Sequence, residues 1–191
     1  MNKTMEIFKA VQIDETVEVK TELGGSDVTV YVSYIDPIRI NELRTQVYRW
    51  KLDYWNKDVD MVSGKKYKDI PVSPEDVQEL KDLKHKECQA ADMTADQTRA
   101  ALKAMKIPST VAELNADKYT SMELNYWICA IALTDEKGEK SAIQVDDLKH
   151  VVGILKASTK AFTDIANAIG SMNKKQEEVE ETVKNLPEQE S

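Results

Sequence analysis

The chain has 191 residues, 41% hydrophobic and 31% charged, with 34 Asp and Glu against 26 Lys and Arg for a formal net charge of −8. That apolar content builds a core and excludes wholesale disorder, and the length suits one domain or a domain with an appendage. The acidic balance excludes a general grip on nucleic acid, which depends on Lys and Arg displacing counterions from phosphate.

Two cysteines, Cys88 and Cys129, follow an N-terminus (MNKTMEIFKAVQIDE) without an apolar signal core. They read as reduced thiols in a cytosol rather than as a disulfide framework. The longest strongly apolar run, WICAIAL at residues 127–133, is too short to cross a bilayer, so no membrane partner is expected.

Taken in chain order, MEIFKAVQI (residues 5–13) is a first strand candidate. TVEVKTEL then alternates strictly, with Val17, Val19, Thr21 and Leu23 on one face and Glu18, Lys20 and Glu22 on the other. That period of two marks a half-buried strand. A GGSD loop leads into VTVYVSYI, and the two runs predict a β-hairpin whose apolar face needs a third strand or a helix to cover it.

At Asp36-Pro37 the pattern changes. Aspartate accepts from the free amides of a helix start, and proline suits the first helical position. Ile40, Leu43, Val47, Trp50 and Tyr54 follow at spacings of three and four, predicting a helix that ends near Trp55. Residues 56–72 lack periodicity and predict a partly mobile loop. Ser73, Pro74 and Asp76 form a capping box that opens a helix to about Ala91, and Thr94 with Gln97 forms another, its helix stopped by Pro108. A short helix over residues 110–114 is expected next. Thr120 and Ser121 are then expected to cap the helix MELNYWICAIAL. After a TDEKGEK turn and an extended SAIQV, Asp146 opens a helix with Leu148, Val151, Val152 and Leu155 on one face. A break near Ser158 precedes Phe162, Ile165, Ala166 and Ile169, and Gly170 ends or bends that run. Residues 172–191 carry six glutamates and three lysines, and Met172, Val179, Val183 and Leu186 are expected to make a thin apolar stripe there, interrupted by Gln176.

None of the side-chain groupings predicts an enzyme. His85 and Cys88 share a helix face, but zinc needs about four ligands and His150 and Cys129 stand apart. The Gly24-Gly25 pair is followed by no Gly-Lys-Ser/Thr and no helix, so it is no phosphate loop. Asp146-Asp147 suits a helix start, and Asp58 with Asp60 lacks the glycine and distal glutamate of a calcium loop. No catalytic residue, metal or cofactor is therefore expected. The residues singled out for partner binding are Trp55, which lies one position off the main stripe, its neighbour Tyr54, and the tail positions Val179, Val183 and Leu186.

Two stretches carry a family resemblance. VEVKTELGGSDVTVYVSYIDPIRINELR is similar to the opening of phage tail assembly chaperones, where a strand, a glycine turn and a second strand lead through proline into a helix. NYWICAIALTDEKGEKSAIQVDDLKHVVGILKASTKAFTDIANAI resembles their second half, and the two cover about half the chain. Residues 56–119 are longer than that pattern needs. The resemblance implies a non-enzymatic factor of the host cytoplasm that binds the tape-measure protein and tail-tube subunits. The alternatives are a virion structural protein (head–tail or minor tail) and a small regulator of a host protein. Self-association is left open.

The expected fold class is α+β: an N-terminal antiparallel β-hairpin or three-stranded sheet packed on a mainly α-helical body, with a charged C-terminal helical tail. The expected organisation is a single domain over residues 1–170, with the β element at 5–35 and the helical body at 36–170. Residues 171–191 form a charged, partly disordered tail.

Overall fold

The structure is a computed structural model that describes residues 16–135 and 145–184, with side chains described as far as residue 174. The fold is α+β. Among the described residues, a three-stranded antiparallel sheet accompanies six α-helices. The chain forms two compact units, Met1–Gln46 with Met122–Ser191, and Val47–Ser121.

In the first unit, β1 (Thr16–Leu23) and β2 (Ser26–Ser33) pair antiparallel with Val17 opposite Val32 and Val19 opposite Val30. The predicted four-residue loop shrinks to two. Leu23 pairs with Ser26, and Gly24 and Gly25 both sit at positive φ (60° and 81°), the backbone a tight hairpin turn requires. Val19 and Thr21 are buried while Glu18 and Lys20 face solvent, as the alternation requires. The third strand, β3 (Leu133–Thr134), pairs with Tyr31 and Val32 of β2. The candidate strand at residues 5–13 lies outside the described residues, as does all of SAIQV except Val145.

Helix α1 (Pro37–Lys57) starts where the cap predicts, with the Ile38 N–H donating to Asp36 Oδ1 at 2.6 Å. Its first half belongs to this unit and buries Leu43 completely. The second half of α4 (Val111–Ala132) contributes Trp127, Cys129 and Ile131, all at most 2% exposed. Helix α5 (Val145–Ala157) buries Leu148, Val152 and Leu155, and α6 (Thr159–Lys184) packs across β1 and β2. The break at Ser158 is real. Its backbone carbonyl accepts from Phe162, and its hydroxyl donates to the Glu22 carbonyl at 3.1 Å, tying the helix start to β1. Further along, the Thr21 hydroxyl donates to Asp164 Oδ2 at 2.7 Å. Gly170 does not end the helix. The buried face continues through Ile169 to Met172, 2% exposed, and that burial outweighs the roughly 1 kcal/mol helical cost of one glycine.

In the second unit, both capping boxes form. Ser73 and Asp76 exchange side-chain and backbone bonds at the start of α2 (Pro74–Ala90), and Thr94 and Gln97 do so for α3 (Ala95–Ala104). The chain leaves α2 through Asp92 in the left-handed region (φ 49°), with the Met93 N–H returning to the Cys88 carbonyl at 3.0 Å. Thr110 caps α4: its hydroxyl accepts from the Glu113 N–H, and Glu113 folds back to the Ser109 N–H at 2.7 Å. The expected second cap at Thr120 is absent, because α4 is continuous. Thr120 is 1% exposed and its hydroxyl donates to the Ala116 carbonyl at 2.6 Å, which satisfies it inside the helix.

Residues 56–72 are more ordered than their composition predicts. Val59 bridges to Lys66, the Gly64 N–H donates to the Asp60 carbonyl at 2.8 Å, and Gly64 takes a positive φ of 69°. Asp60 closes the loop with its carboxylate, accepting from the Ser63 N–H at 2.8 Å and the Val62 N–H at 3.4 Å. A 3₁₀ turn (Tyr67–Asp69) follows, and Pro71 bridges to Thr110.

Candidate functional site

The aromatic groups of the second unit converge. Trp55 lies edge-on to Tyr54 (centroids 5.4 Å apart) and to Tyr67 (5.1 Å), and stacks on Tyr119 (5.4 Å, 27° between planes). Three elements supply the rings: α1 gives Tyr54 and Trp55, the 3₁₀ turn gives Tyr67, and α4 gives Tyr119. Offset and edge-on pairs at these distances each add about 0.5–1.5 kcal/mol beyond the area they bury. Lys51 Nζ lies 4.7 Å from the Trp50 ring centroid and 5.8 Å from that of Tyr119, placing a cation over the faces of this group.

The two predicted binding aromatics play different parts. Trp55 is half-buried at the centre of the cluster, while Tyr54 is 55% exposed and Tyr119 38% exposed at its edge. The α1 stripe explains this. Leu43 and Val47 are fully buried, Ile40 and Trp50 half-buried, and by Tyr54 the stripe faces water. Val179 and Val183 lie on α6 beyond the last described side chain, and Leu186 lies outside the described residues.

Sequence reading passed over Met61 and Val62. They sit at the tip of the Asp60 loop and are 93% and 97% exposed. Their signal was a pair of apolar residues between an aspartate and a Ser-Gly turn, a place where polar residues are the rule.

Nearby titrating groups are tuned by burial and carboxylates. Burial raises the Tyr48 phenol, helped by Glu113 and Asp117. Burial first, then Asp60 and Asp58, raises Tyr67. Both hydroxyls stay protonated at ordinary pH. Asp60 is held below the usual carboxylate range mainly by its bonds from Ser63, so its charge serves the loop.

His85 is exposed and its neighbour one turn on, Cys88, is buried. Among the described residues no three His, Cys, Asp or Glu side chains are grouped to hold a metal ion. Asp146 pairs with Lys149 at 2.6 Å on the first turn of α5. Cys129 is buried, and burial pushes its thiol up to about 11, against the reactivity that needs thiolate. In the first unit, Lys20, Thr21, Asp27, Val28, Thr29 and Lys160 line a shallow open cleft of about 390 Å³. Its Thr21 hydroxyl is already committed to Asp164, and Lys160 pairs with Glu22 at 3.5 Å. No helix among the described residues is long and apolar enough to cross a membrane.

No protein-family model, curated protein or solved structure matches this chain.

Proposed function

We propose that the chain is a non-enzymatic protein-binding factor, and that it acts as a phage tail assembly chaperone in the host cytoplasm, holding tape-measure and tail-tube proteins until they polymerise. The observation that carries the binding reading is the aromatic patch. Trp55 is braced by Tyr54, Tyr67 and Tyr119, while Tyr54 and Tyr119 keep part of their surface in solvent. Rigid, part-exposed tryptophan and tyrosine side chains are the commonest hot spots of protein interfaces, because they bring area with little ordering cost. The tail assembly assignment rests on the resemblance of residues 17–44, which run from the hairpin through Asp36-Pro37 into α1, and of residues 125–169 to that family. A net charge of −8 suits a factor that keeps an aggregation-prone partner dispersed.

The test is co-production with the tape-measure and tail-tube proteins encoded in the same genome. A soluble complex should co-purify, and Trp55→Ala should weaken it by about tenfold or more, the scale of a hot-spot loss. A tape-measure protein that stays insoluble and never co-purifies overturns the assignment.

A further inference from the structure

We infer that the Asp60 loop is a self-association surface, and that its occupant is the same loop of a second copy of this chain. Met61 and Val62 are 93% and 97% exposed, and Val59 beside them is 37% exposed. Apolar side chains held so far into water mark a contact surface when the backbone beneath them is fixed. Here it is fixed by the bonds from Val62, Ser63 and Gly64 to Asp60 and by the Val59–Lys66 bridge. A preformed loop gives up little conformational freedom on contact.

Charge selects the partner. Lys65, Lys66 and Lys68 are exposed and make no ion pair among the described residues, and Asp58, Asp60 and Asp69 stand among them. With the Asp60 carboxylate engaged by its own loop, the three cations and the anions Asp58 and Asp69 in one short strip complement themselves under a two-fold axis, where each copy's lysines meet the other's aspartates. The same strip is a poor match for an anionic bilayer, which is drawn to clusters of four to eight basic residues with little opposing charge. Residues 47–121 carry 13 Lys and Arg and 13 Asp and Glu, whereas the rest of the chain carries 13 and 21. Contact through this unit therefore meets no net repulsion, and contact through the other opposes one −8 surface with another. Two loop tips alone fall short of the roughly 1,000 Å² a specific interface needs, so the contact extends through Tyr67 onto exposed Tyr54, giving a weak dimer.

Sedimentation velocity of the full chain, from about 5 to about 300 µM, reads this out. The weight-average mass should climb toward twice that of the chain. Val62→Asp should weaken the association constant tenfold or more, and Lys65→Glu/Lys66→Glu/Lys68→Glu should do the same by removing the opposite sign. Unchanged far-UV circular dichroism and melting establish that each variant is folded, and either variant alone suffices. A wild-type chain that stays monomeric across the range overturns the inference. So does a dimer that both variants leave intact, which assigns the contact to another surface. So does a monomeric chain that sediments with vesicles of one part phosphatidylserine to three of phosphatidylcholine, which assigns the loop to lipid.

Discussion

The two units divide the chain's apolar residues in opposite ways. Of the twenty buried hydrophobic residues described, sixteen belong to the unit built from both ends of the sequence and four to residues 47–121. Of the eleven exposed large hydrophobics the ratio reverses, three against eight. The four buried in the second unit are Val47, Cys88, Ala112 and Ala116, all small, so its large side chains do their packing near the surface. Buried core and exposed apolar surface thus fall on different stretches of one chain. A unit with few buried large side chains opens at lower cost, and one that shows apolar surface is suited to partners.

Truncating the core of the first unit tests the contrast most severely. Trp127 is 1% exposed, and Trp127→Ala should cost about 3–5 kcal/mol, read as a lowered denaturant midpoint. A loss below about 1 kcal/mol would place the stabilising core elsewhere. Alkaline pH attacks the same unit. The Cys129 thiol is raised from an ordinary 9.0 to about 11, so the unfolded chain loses this proton first. Its contribution is full below pH 9 and disappears as pH rises to about 11, a loss of up to about 2–3 kcal/mol. Cys129→Ala should flatten that part of the stability–pH curve, and an unchanged slope would point to other groups.

In the second unit the expected effects are smaller. Ser73→Ala removes the hydroxyl half of a capping box and should cost about 1 kcal/mol. Native-state hydrogen exchange should show that loss in α2 while the amides of β1 and β2 keep their protection. Equal deprotection of both would erase the distinction between the units. The smallest effect belongs to Val62→Ser, within about 0.5 kcal/mol of wild type by thermal melting, because the side chain touches almost nothing in its own chain.

What could be read in advance follows the range of the interactions involved. The Asp36 cap, both capping boxes and the strand alternation depend on residues within four positions of one another, and all of them formed. Thr120 misled for the same reason. Locally it has the chemistry of a cap, and only burial at 1% exposure shows that its hydroxyl turns inward to Ala116. The pairing of residues 133–134 with β2 spans some hundred positions and left no local trace. The Asp60 loop lacks periodicity because side chain-to-backbone bonds, not a repeating face, hold it together. At the candidate site, the aromatic pair at residues 54–55 was legible from its place at the end of the α1 stripe. Which ring is braced and which is in solvent depended on Tyr67 and Tyr119, 12 and 64 positions from Trp55.

The cysteines have a practical consequence. Both are free and 2% exposed, Cys88 in the second unit and Cys129 in the first. A thiol reagent added to the native chain can therefore react only when the surrounding unit breathes. With Cys88→Ala and Cys129→Ala as the two single-thiol chains, the labelling rates become two clocks built into the wild-type sequence. If Cys88 reacts orders of magnitude sooner, the lightly packed unit opens while the other stays shut; matching rates would mean that the chain comes apart as one.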